Sequence, residues 1–455
     1  MTKKRLITAS ICAVLLSAMT AFHAYIDTST ASAAELNAGT QTSISREVEG
    51  VTGATESNTE SSDKDSASGT SDSASGSSVP ASGSSAIDTS DLFSSRDLEQ
   101  TADLSEAKTV TVSDGETCTI KTEGVYVIKG SASNAQILVT AGDEDKVQLV
   151  LDGVSITNDS TPCIYVQSAD KVFVTTTDSE NTLTVSGTFT ADGDTNTDAV
   201  IFSRDDLVMN GRGTLNINSS DNGISSKDDL KVTGGTINIT CTSDALEAND
   251  SILIADGTIN ITSDKDGLHA ENDEDSTVGY VYIAGGKLTV KAGDDAIHAT
   301  TIAQIDGGTI ELTGAEGIEG TYIQINDGEI SISASDDGIN AGQKSNITTP
   351  TVEVNGGTIT IVMGSGDTDG VDSNGNLVFN GGTLDITAQS PFDYDGTAQN
   401  NGTTLIVNGT ETDSITNQMM GGHGGMGGGM DGGMDGGMGG HGGMGGHGGM
   451  NRGGF

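Results

Sequence analysis

The sequence predicts an all-β protein, a single-stack, right-handed, single-stranded parallel β-helix over residues 106–418. Three observations carry that assignment. Short segments alternate apolar and polar residues with period two, as in Ile237/Ile239, Ile259/Ile261, Leu288/Val290 and Ile310/Leu312. Such alternation in β-branched residues marks half-buried strands, and no segment holds a 3.6-residue pattern. The strands also recur: Gly213, Gly235, Gly257, Gly286, Gly308, Gly328, Gly357 and Gly382 open successive repeats at spacings of 22, 22, 29, 22, 20, 29 and 25 residues. Finally, a lone coil of this length cannot bury its own apolar face, whereas coils stacked about 4.8 Å apart can. A propeller blade needs about 40–50 residues, and an antiparallel sandwich would not keep this register.

Each coil reads the same way. The strand after the glycine, as in Ile330/Ile332 and Ile359/Ile361, leads into an acidic turn and a small-apolar segment such as Gly267-Leu268-His269-Ala270. A second alternating strand closes the coil, as in Leu230/Val232, Ile252/Ile254, Val281/Ile283, Ile323/Ile325 and Val352/Val354. Gly-Gly and Asp-Gly pairs supply corners with positive φ. Residues 271–277 and 342–348 are expected loops in the two longest coils.

The ends are of a different kind. Lys3, Lys4 and Arg5 precede an apolar stretch, 6–19, broken only by Thr8, Ser10 and Ser17, and small residues offer cleavage after Ala33 or Ala34. Residues 1–34 therefore read as a signal peptide whose apolar stretch is shorter than the roughly 20 apolar residues of a bilayer span, and the chain is expected to be secreted, extracellular or at the cell surface. Ile11 before Cys12 does not fit a lipoprotein signal. Residues 35–105 read as a disordered Ser/Thr/Asp-rich spacer, and 419–455 as a disordered Gly/Met/His tail.

The formal charge is −45, and loss of the leader's three bases and one acid leaves −47. Such a chain repels nucleic acid and anionic membranes, and it repels acidic sugars unless cations intervene. Cys118, Cys163 and Cys241 remain after the leader; they read as small buried residues, with a Cys118–Cys163 disulfide as the alternative. No CxxC suggests zinc.

Stacking turns the coil motif into columns. Asp244, Asp266, Asp295, Glu316, Asp337 and Asp369 align along one edge, with Asp294 and Asp336 beside them. Glu247, His269, His298, Glu319, Asn340 and Asp372 form a second column. Carboxylates one rung apart repel by about 1 kcal/mol in water and about 4 at an effective dielectric near 20. Hard dications with oxygen ligands, chiefly several calcium ions, are the expected remedy, the candidate ligands being Asp244, Glu247, Asp266, Asp294, Asp295, Glu316, Glu319, Asp336, Asp337, Asp369 and Asp372. The alternative is a solvated acidic edge that resists aggregation. His269 and His298 are candidates for a transition metal or sugar hydroxyls, or simply a stacked pair. Tail residues His423, His441 and His447, with Met426, Met430, Met434 and Met438, suit copper or a plain flexible extension.

Beyond this pattern, Gly124-Val125-Tyr126-Val127-Ile128-Lys129-Gly130, the run Val147 to Ile156, and Pro162-Cys163-Ile164-Tyr165-Val166 resemble a clostridial family of carbohydrate-binding β-helix proteins. Asp266-Gly267-Leu268-His269-Ala270 and Asp294-Asp295-Ala296-Ile297-His298-Ala299 extend the likeness, which covers about 106–418. The long spacer and the cysteines depart from it. The resemblance implies a secreted, calcium-binding, pectate-lyase-like fold that binds cellulose and polygalacturonate, with calcium at the matching acidic turns. The expected function is calcium-assisted, non-catalytic binding of polysaccharide by a monomer. The absence of Trp favours acidic or soluble glycans over flat crystalline ones. Alternatives are a calcium-dependent lyase with Lys265 or Lys227 as base, a hydrolase, and a surface adhesin.

Overall fold

A computed structural model describes residues 44–48, 86–272, 274–365 and 368–417. The leader with Cys12, the Ser-rich stretch 66–85 and the tail with its histidines and methionines lie outside these residues. Among the described residues every regular element is a β-strand, and the chain is a parallel β-helix. The first strand of each coil pairs in parallel with that of the next, so that Ile237, Ile259, Leu288, Ile310, Ile330, Ile359 and Leu384 stack in register. Second strands stack Ile224, Leu246, Leu268, Ile297, Ile318, Ile339 and Val371. Third strands stack Leu230, Ile252, Val281, Ala303, Ile323, Val352 and Leu377. These inward columns meet in one buried core. Each buried Ile, Leu or Val contributes roughly 1.5–3 kcal/mol, which a single coil could not collect alone.

The corner glycines have physical reasons. Gly286 has φ +87°, and a Cβ there would lie 2.9 Å from the carbonyl oxygen of Gly257 in the preceding coil. Gly213 needs no positive φ; its Cβ would collide with the Thr177 carbonyl oxygen at 1.8 Å. At the corner after the third strand, Asn326, Asn355, Asn380 and Asn401 form a ladder, the Nδ2 of each of the last three donating to the asparagine Oδ1 one coil earlier at 2.8 Å. Cys118, Cys163 and Cys241 are buried and outside any disulfide, as the first of the two readings held. Burial pushes the Cys163 and Cys241 thiols up to about 12, so both are inert.

The spacer reading fails at its C-terminal end. Residues 86–100 form an ordered strap across the third-strand face. The amides of Ala86 and Ile87 donate to Gln324 Oε1 and Gln304 Oε1, each at 2.8 Å. Ile87, Leu92 and Phe93 pack on Leu253 and Tyr282. Asp97, 1% exposed, lies 3.6 Å from Lys171 and 3.9 Å from Lys231. The Arg96 guanidinium sits 4.5 Å from the Phe173 ring centroid, and Gln100 Oε1 accepts from Gly211 N at 2.9 Å. Composition averaged over 35–105 is dominated by Ser, Thr, Ala and acidic residues, which hides a short segment in which Ile87, Leu92 and Phe93 pack inward and an acid meets two lysines.

Candidate functional site

The second strands present one outward column along the stack. Alternation sends Leu268 and Ala270 inward and His269 outward, and the same holds at Leu246/Glu247/Ala248 and Ile297/His298/Ala299. Register then lines up Leu138, Tyr165, Phe202, Ser225, Glu247, His269, His298, Glu319, Asn340, Asp372 and Asp393. The acids of the preceding turn form a second column whose carboxylates have a structural task. Asp266 N donates to Asp244 Oδ1 at 2.9 Å, Asp295 N to Asp266 Oδ1 at 3.0 Å, and Asp369 N to Asp337 Oδ1 at 3.2 Å. One oxygen of Asp244, Asp266 and Asp337 therefore satisfies the next coil's amide, and the other is left to the site.

In the upper rungs that second oxygen meets a cation. His269 Nδ1 lies 3.0 Å from Asp266 Oδ2 and 3.4 Å from Asp244 Oδ2, with Nε2 3.1 Å from Glu271. His298 Nδ1 lies 2.8 Å from Glu319 Oε2 and 3.1 Å from Asp295 Oδ2, and Lys344 Nζ is 2.5 Å from Glu319 Oε1. The imidazole centroids stand 4.8 Å apart. Burial opposes protonation of both rings, but the carboxylates outweigh it, raising His269 to about 11 and His298 to about 9. Burial likewise opposes charge on Glu319, yet the hydrogen bonds from His298 and Lys344 hold it down at about 2. Burial and the charge of Glu319 push Glu316 up to about 8. Both histidines are thus imidazolium ions set between acids, a role the sequence reading did not assign.

The lower rungs have carboxylates in the same positions without such partners. Burial and Asp372 raise Asp337 to about 7; burial and Asp393 raise Asp372 to about 6. Among the described residues neither has a basic partner.

Three groups bring one ligand atom from each of three side chains within 4.8 Å among the described residues: Asp244–Asp266–His269, Asp266–Asp295–His298 and Asp295–Glu316–Glu319. Of the other sequence candidates, Glu247 is engaged by Lys227 at 3.0 Å and by Asn222 Nδ2 at 2.8 Å. Asp294 and Asp336 are exposed on the turn, outside those groups, and Lys265 is exposed as well. Lys227, spent on Glu247, is poorly disposed as a free base. Sequence reasoning missed Glu271 and Lys344, which come from the two inserted loops. Ser345 Oγ donates to the Ser276 carbonyl oxygen at 2.7 Å, tying those loops together beside the column. The 29-residue spacing was the only signal for them, and it carries no information on where a loop side chain ends.

The family model for carbohydrate-binding domain-containing proteins matches residues 114–364 and 314–421. A carbohydrate-binding domain-containing protein of Acetivibrio thermocellus is 46% identical over 194 residues, 42% of this chain and 68% of that protein. A solved structure of a polysaccharide lyase-like protein from C. thermocellum, a gadolinium derivative, aligns at 26% identity with a TM-score of 0.40. That alignment covers 64% of this chain and 99% of the other.

Proposed function

The chain belongs to the family of carbohydrate-binding domain-containing proteins, and from that premise we propose that it binds polysaccharide outside the cell without cleaving it. Its ligands are acidic plant cell-wall glycans such as polygalacturonate, with cellulose as a second ligand, and calcium assists. The observation that carries this reading is the run of carboxylates in the lower rungs. Asp337 and Asp372 face other acids in fixed register and hold protons above the usual carboxylate range. A dication relieves that repulsion and leaves coordination positions for a uronate, joining two polyanions that otherwise repel.

The donor sets separate the candidates. Calcium takes six to eight oxygens. Of the three groups, Asp295, Glu316 and Glu319 offer oxygen alone, although His298 already engages Asp295 and Glu319; Asp337, Asp369 and Asp372 also offer oxygen alone, outside those groups. The groups containing His269 or His298 offer a nitrogen that already carries a proton, and they fit calcium poorly.

The test is retention on polygalacturonate and on cellulose, each with calcium or with a chelator, with ultraviolet absorbance read in the same tubes. Calcium-dependent retention without new absorbance supports binding. Rising absorbance from unsaturated ends sinks the non-catalytic reading in favour of a lyase, and retention indifferent to chelator removes calcium from it.

A further inference from the structure

The outward column that is acidic along its lower rungs is apolar at its head. There the turn between Glu180–Val185 and Ala199–Ser203 is much longer than in later coils, and it folds back over Leu138 and Tyr165. A cavity of about 310 Å³ opens between this turn and the strands, lined by Gln136, Leu138, Pro162, Tyr165, Gln167 and Asp192 among others. That volume lies at the small end of the roughly 300–1,000 Å³ typical of ligand sites. We propose that this cavity is a subsite for one neutral sugar ring of a glycan, bound through its hydroxyls and an apolar C–H face.

Its chemistry and rigidity argue for that ligand class. Asp192 Oδ2 accepts from Tyr165 Oη at 2.9 Å and from Gln167 Nε2 at 3.1 Å, which fixes the carboxylate and leaves Oδ1 for hydroxyl donors. Gln136 spends Nε2 on the Pro162 carbonyl at 3.1 Å, and its Oε1 is a further acceptor. Leu138, Pro162 and the Tyr165 ring supply the apolar wall, and Tyr165 packs edge-on against Phe202 at 5.8 Å between centroids. The turn is held by its own bonds: Thr190 N to Ser160 O, reciprocal Asp192–Thr195 amide bonds, and Thr197 Oγ1 to Thr190 O. A preformed site loses little freedom on binding. Asp192 is the acid of the lining and the Arg204 guanidinium lies 4.0 Å from its Oδ2, so the site carries a balanced pair of charges and suits a neutral ring.

The inference rests on the carbohydrate-binding reading but not on calcium, and the experiment separates the two. Calorimetric titration of the full chain with cellotetraose, xylotetraose and mannotetraose is run in chelator, where calcium bridging is absent. At least one should bind, and Asp192→Ala or Gln167→Ala should weaken it on the order of tenfold. Asp372→Asn should leave that affinity unchanged, while calcium-dependent retention on polygalacturonate behaves oppositely in the same variants. Binding of none of the three by the unaltered protein overturns the subsite, whatever polygalacturonate does. Equal binding by Asp192→Ala, with circular dichroism showing it folded, overturns it too.

Discussion

The upper and lower rungs of the acidic edge share strand, turn and register but differ in electrostatic state. From Asp244 to Glu319 the acids surround two imidazolium ions and one ammonium. From Asp337 to Asp393 the corresponding places hold Asn340, Asp372 and Asp393, so acids face acids. One region carries counter-ions for most of its acids in its own sequence, Glu316 being the exception that burial and Glu319 push up to about 8. The other must hold protons or take cations from solution throughout. A repeat that looks uniform as a string of Asp-Gly and Asp-Ala turns is therefore two different surfaces.

The widest test asks whether the two regions are mechanically one. Ile310→Ala lies in the common core column and should cost about 2–5 kcal/mol in urea unfolding, within a single transition. Two separated transitions would mean the halves unfold independently. Next in size, His298→Leu turns an upper rung into one of the lower kind by leaving Asp295 and Glu319 without their shared cation. It should cost about 3 kcal/mol at neutral pH, with part of the loss restored by calcium. Unchanged stability would deny the imidazolium its role.

A smaller effect of opposite sign is expected below. Asp337→Asn with Asp372→Asn should stabilise the chelated protein by about 1 kcal/mol, by removing like-charge contact. The same change should abolish the calcium-induced rise in Tm; a rise as large as in the unaltered chain would place the ion elsewhere.

The smallest differences lie in pH dependence. The folded pKa of His298 is raised from 6.5 to about 9, so its contribution is complete below 6.5 and drains away as pH rises through about 9. Asp337 is raised from 3.8 to about 7, so the folded state holds that proton more tightly and loses stability as pH climbs between those values. Chelated protein should therefore weaken across both windows. Calcium should flatten the lower window alone and release protons on binding near pH 6. A calcium effect confined to the upper window would reverse the assignment of the two regions.

Much of the fold was legible because period-two alternation and a glycine every 20 to 29 residues admit few arrangements. The columns Asp244–Asp369 and Glu247–Asp372 followed from the same register. The strap of residues 86–100 did not: its Ile87, Leu92 and Phe93 only have meaning against Leu253 and Tyr282, more than 150 residues further on. The roles of Glu271 and Lys344 were equally hidden, since loop residues obey no period.

By itself the sequence determined a stacked coil, its inward columns and the acidic register, because side-chain direction in a strand follows position along the chain. Only tertiary structure decided which acids meet a cation, which carboxylate oxygen caps the next coil, and where the turn before Ala199 closes over Tyr165. Those outcomes depend on distances of a few ångströms between residues 20 or more positions apart, and on loops whose ends, but not paths, are set by the repeat.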